Sequence, residues 1–69
     1  MTKDGDKISP GHYNKFKIAP FDFIHKNGLG FAEGNVVKYV CRWREKNGVE
    51  DLEKAIRYIE LLIKAEEEV

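Results

Sequence analysis

The sequence predicts an all-α domain, a short N-terminal arm and a short helix followed by an antiparallel two-helix hairpin that self-associates. Three observations carry this. Apolar residues recur in steps of three and four through 31–46 and 50–67. Asn-Gly pairs at 27–28 and 47–48 supply the positive-φ positions at which helices end. A chain of 69 residues with the single cysteine Cys41 has no internal disulfide, so regular helix packing and self-association are its remaining supports.

The elements follow in order. Residues 1–11, rich in Lys, Asp, Gly, Ser and Pro, read as an extended arm, with Pro10 turning Ser9 away from helix. Tyr13, Phe16, Phe21 and Phe23 then return toward a core, opening a single domain over 12–69. Pro20 suits the first turn of a short helix to about Lys26, because its fixed φ is helical and its missing N–H is not needed there. The second helix is expected from about Phe31 to Lys46. At about 100° per residue, Val36, Val37, Val40, Cys41 and Trp43 form one apolar arc, with Asn35, Lys38, Arg42 and Lys46 on the far side and Tyr39 at the boundary. Gly34 costs helix propensity, about 1 kcal/mol relative to alanine, and marks a place of close backbone approach. The third helix is expected from about Glu50 to Glu67. Its apolar stripe is Leu52, Ala55, Ile56, Ile59, Leu62 and Ile63, and its first turn carries acids where the helix dipole favours them.

Twelve Lys and Arg balance twelve Asp and Glu. A net charge of zero removes the global positive field of a generic DNA-binding protein, so nucleic acid is not the expected partner. The signs are nevertheless segregated, cations dominating up to Arg44 and the tail 66–68 being purely acidic. No stretch approaches the roughly 18 apolar residues of a membrane span, so a soluble protein of a reducing compartment is expected.

The stripe Asn35, Lys38, Arg42, Lys46 is the first candidate site. Lysine meets phosphate as a charge, arginine adds a two-pronged hydrogen-bond fork, and asparagine can read a sugar hydroxyl or a base edge. Its ordinary alternative is a solvated helix face neutralised by Asp51 and Glu60. His12-Tyr13 offers an acid, base or phosphate donor beside a stacking ring, or else plain local anchoring. Glycines 28, 30 and 34 could expose backbone N–H groups to a phosphate, but they also serve simply to end one helix and start another. They do not form a G-x-x-x-x-G-K-[ST] loop. The acids of the two long helices do not converge as a magnesium site requires, and no metal or cofactor is expected. Cys41 reads as a small core residue, and Trp43 and Tyr58 as core or interface.

The run G-N-x-x-K-Y-x-x-R-x-x-x-K at 34–46, followed by D-L-x-K-A at 51–55 and preceded by His12-Tyr13, resembles a domain of unknown function found in small proteins of tailed bacteriophages. That domain is shared with the early T7-type phage deoxynucleoside monophosphate kinase, and the similarity runs from about Ile8 to Ile63. The resemblance implies a phage-encoded, kinase-like, nucleotide-binding protein, expected in the host cytoplasm; a homo-oligomer is the expectation that the chain's small size sets. Residue by residue, it carries His12, Tyr13, Asn35, Lys38, Tyr39, Arg42, Lys46, Asp51 and Lys54 over as ligand-binding positions; it names no catalytic residue. Binding of a nucleotide or related phosphate ligand is the leading expectation. The alternatives are an active deoxynucleoside monophosphate kinase, a sponge for a host nucleotide signal, and a non-enzymatic module that docks an acidic protein. The chain is much shorter than the kinase, and phosphoryl transfer needs two substrates held in line.

Overall fold

The computed structural model describes residues 16–68, which form three helices: α1 Pro20–Lys26, α2 Phe31–Arg42 and α3 Val49–Glu67. The arm 1–11 and the pair His12-Tyr13 lie outside the described residues. Among the described residues the architecture is all-α, as the periodicity predicts, and no helix is long and apolar enough to cross a membrane.

Pro20 opens α1 and is buried. The helix closes when the Asn27 side-chain amide donates to the Phe23 carbonyl at 2.8 Å and Gly28 turns the chain at φ +64°. The first free N–H of the next helix, that of Gly30, is taken by Glu33 Oε1 at 2.8 Å. Glycine has no side chain to return the bond, so this is half of a capping box. It leaves that N–H unavailable to an anion. Ile24 of α1 rests on Gly34 of α2, where an added Cβ would lie 3.0 Å from Ile24 Cγ2. The helix-weakening glycine at 34 therefore admits its neighbour, as expected from its position.

Helices α2 and α3 make the principal interface and run antiparallel: Arg42 meets Asp51 beside the turn, whereas Phe31 meets Tyr58 further along. Two expectations are corrected here. First, α2 ends at Arg42 rather than Lys46, and residues 43–48 form a succession of turns. The reason is not local, since no breaker stands between Trp43 and Lys46. Asp51 draws the Asn47 backbone toward itself, and Gly48, at φ +60°, sends its N–H to the Trp43 carbonyl at 2.9 Å.

Second, the inward faces are rotated in part from those that apolar periodicity indicates: Leu52, Ala55 and Leu62 of the predicted α3 stripe are buried or half-buried, but its isoleucines are not. Apart from Pro20 and Gly34, only Ala55 among the described apolar residues is buried, and Asp51 is fully buried beside it, with Tyr58 and Leu62 half-buried on the same edge of α3. Ile56, Ile59 and Ile63, expected inside, remain 54%, 42% and 52% exposed, and Val40 of α2 is also exposed. The polar stripe of α2 turns toward α3 instead, because its ion pair and ring contacts are satisfied only across that seam.

Candidate functional site

Asp51 organises the site. It lies in the first turn of α3, where the helix dipole favours a carboxylate. Its Oδ2 accepts from Arg42 Nε at 3.1 Å and from the Asn47 backbone N–H at 3.2 Å, while Oδ1 accepts from Asn47 Nδ2 at 3.4 Å. Burial raises the pKa of this carboxyl, but the bonds from Arg42 and Asn47 and the guanidinium charge outweigh burial. The net effect holds the group below the usual carboxylate range, ionised. A buried acid with three donors is the arrangement that low polarity demands.

The consequence for the basic stripe is a partial correction. Arg42 is neutralised by the protein's own Asp51, as the ordinary structural alternative anticipated; Glu60, the other acid considered, is exposed and forms no ion pair with the stripe. Lys46 leaves the stripe with the early end of α2 and stands exposed in the turn. Asn35 directs its side-chain amide back to the Phe31 carbonyl at 2.9 Å, and its side-chain oxygen has no hydrogen-bond partner among the described residues.

Three cations instead converge on one ring. Lys38 Nζ lies 5.1 Å, Arg42 Cζ 5.1 Å and Lys54 Nζ 5.5 Å from the centroid of Tyr39. Each such contact contributes about 0.5–1 kcal/mol at a solvent-exposed site, enough to orient a lysine but not to neutralise it. Among the described residues neither Lys38 nor Lys54 has a carboxylate within ion-pair distance. Charge at the cluster is therefore three positive against one negative, Asp51. Coulomb repulsion among the cations is offset only in part by that carboxylate.

Aromatic rings continue from this cluster. Tyr39 stacks on Tyr58 with centroids 6.0 Å apart and planes inclined by 15°, and Phe31 meets Tyr58 edge-on at 5.9 Å. Phe31 keeps most of its surface in solvent. Of the residues singled out in the sequence, the structure brings together Lys38, Tyr39, Arg42, Asp51 and Lys54, with Asn35 one turn away on the same face of α2. It does not bring Lys46 into the group. Phe31 and Tyr58 adjoin this cluster, and the sequence reading did not place them among its candidate positions. The signal for Tyr58 was present, since 51, 54, 55, 58 and 62 share one face of α3 at helical spacing. Among the described residues no group of three His, Cys, Asp or Glu side chains could hold a metal ion.

No curated protein and no solved structure matches the chain at a significant level. A family model described as a protein of unknown function matches residues 7–60, most of the chain, and so includes every residue of the cluster: the chain belongs to the DUF3310 family.

Proposed function

We propose that this protein binds a nucleotide or a related phosphate-bearing ligand across the α2–α3 seam, as a small phage-encoded, kinase-like member of its family. One observation carries the reading: Lys38, Arg42 and Lys54 gather around Tyr39 with a single carboxylate among them. Lys38 and Lys54 meet the phosphate as charges. Arg42 contributes its two Nη groups, because only its Nε is committed to Asp51 among the described residues. The exposed Phe31 ring, in contact with Tyr58, offers a stacking surface for a base, and every base has a π-face to place there. The likeness of 34–55 to the phage kinase domain supports the nucleotide class of ligand.

The same geometry favours binding over turnover. In-line phosphoryl transfer requires two substrates with charge stabilised between them, and the cluster supplies one anion site. Isothermal titration against dGMP, dTMP, ATP, cyclic dinucleotides and inorganic phosphate tests the proposal. Heat with at least one nucleotide, and an affinity about tenfold weaker for Lys38→Ala or Lys54→Ala, is expected for the loss of a charge-assisted contact. Absence of heat with all of them, or binding indifferent to both substitutions, overturns it. Release of ADP from ATP with dGMP or dTMP in the same tube would assign the active kinase instead.

A further inference from the structure

The parts of the candidate site fall in a fixed order along α2. Phe31, Asn35 and Tyr39 stand four residues apart on one face of the helix, with Lys38 beside Tyr39 and Arg42 at the helix end. Phe31 and Tyr39 are therefore separated by a rise of about 12 Å. The rings agree with that spacing, since Tyr58 bridges them, 5.9 Å from Phe31 and 6.0 Å from Tyr39. Lys54 precedes Tyr58 by one turn of α3, toward the connection 43–48, and Arg42 is bonded to Asp51 beside that connection. The exposed Phe31 ring and the cations are thus separate subsites, and a ligand that uses both is long. Asn35 stands midway. It is half-buried, and the bond of 2.9 Å from its Nδ2 to the Phe31 carbonyl fixes the amide, leaving Oδ1 without a partner among the described residues. That oxygen accepts a hydrogen bond and cannot donate one.

We propose that the ligand is a nucleoside di- or triphosphate lying lengthwise along α2, its base on Phe31, a sugar hydroxyl donated to Asn35 Oδ1, and its terminal phosphate among Lys38, Arg42 and Lys54. This rests on the phosphate reading of the seam and adds to it a length and a sugar contact. A nucleoside monophosphate has only the sugar between its base and its phosphorus, so with its base on Phe31 it stops short of the cations. Each further phosphate lengthens the chain by one P–O–P link, and the terminal group of a polyphosphate then arrives at the cluster. The sugar falls between base and phosphates, as Asn35 falls between Phe31 and Lys38, and its hydroxyl is the donor that the Asn35 oxygen lacks. Other groups of the seam do not compete for that hydroxyl, because Lys38, Arg42 and Lys54 are donors only.

Isothermal titration of wild type and two variants with ATP, AMP, 2′,3′-dideoxy-ATP and inorganic tripolyphosphate tests the pose. Phe31→Ala weakens ATP about tenfold, as expected for a base stacked on an aromatic ring, and weakens AMP and tripolyphosphate by no more than about twofold. Asn35→Leu weakens ATP about fivefold, as expected for one hydrogen bond, and dideoxy-ATP by no more than about twofold. A merely structural role of Asn35 would move both triphosphates alike, and far-UV circular dichroism checks that both variants keep their helices. ATP indifferent to Phe31→Ala, AMP losing as much as ATP in that variant, or Asn35→Leu weakening ATP and dideoxy-ATP equally overturns the lengthwise pose. In that event tripolyphosphate binding that Lys38→Ala weakens still upholds the phosphate reading, whereas no binding of any of the four ligands overturns both.

Discussion

Substitution of Gly48 isolates the turn that presents Asp51 to Arg42. Gly48 has φ +60° and ψ −134°, far from the left-handed helical well, where ψ is about +30° to +60°. A Cβ built at this position meets no atom within 4 Å, so crowding contributes nothing and the cost of Gly48→Ala is conformational alone. A non-glycine residue held in such a region costs about 1–3 kcal/mol, against which alanine's restriction of the unfolded chain returns about 0.4–1 kcal/mol. The net loss is about 1–2 kcal/mol, which for a domain of this size lowers Tm by about 4–16 °C. Thermal unfolding followed by far-UV circular dichroism measures it, with Trp43 fluorescence as a second probe, because the Gly48 N–H bonds the Trp43 carbonyl. Gly48→Asn behaves like Gly48→Ala, since asparagine tolerates the left-handed well and not this ψ. A Tm within about 2 °C of wild type for Gly48→Ala, or an asparagine variant as stable as wild type, refutes the reasoning.

Three further outcomes are expected. The folded pKa of Asp51 lies below its unfolded value, so its stabilisation is complete above about pH 4 and is lost as pH falls through the folded value; urea midpoints measured from neutral to acid pH show this slope, and Asp51→Asn flattens it. Arg42→Ala lowers the urea midpoint more than it lowers ligand affinity, because it strands a buried carboxylate; Lys54→Ala, which is free of any carboxylate among the described residues, does the reverse, with about a tenfold loss of affinity by titration calorimetry. Burial pushes the Cys41 thiol above its ordinary pKa, so iodoacetamide modifies it more slowly than it modifies glutathione at mildly alkaline pH, as mass spectrometry reads directly.

The limits of α1 and α3 were legible because their signals are local: Pro20, Asn27-Gly28 and Gly48 mark them whatever surrounds them. The end of α2 was not, because it is set by Asp51, nine residues beyond Arg42, reaching back to Asn47. Periodicity placed isoleucines inward because it ranks side chains by their transfer from water, and here an ion pair and a ring contact determine which edge of α3 faces α2. Lys38, Arg42 and Asp51 were legible as candidates by residue type and spacing. The sequence offered Asp51 as a neutraliser of the stripe, but that it clasps Arg42 and leaves Lys38, while Lys54 crosses to Tyr39, depends on how two helices are rotated against each other, which a single-helix projection does not hold.

The three bonds to Asp51 also bear on timing. The last residue of α2, the turn and the start of α3 are fastened at one carboxylate, so none of the three can swing without breaking the others' attachment. If the seam binds a phosphate ligand as proposed, the rings and ammonium groups carried on this frame stand in place before the ligand arrives. A single second-order encounter in stopped-flow mixing is then expected, its observed rate climbing linearly with ligand concentration; a plateau from slow rearrangement would contradict the proposal.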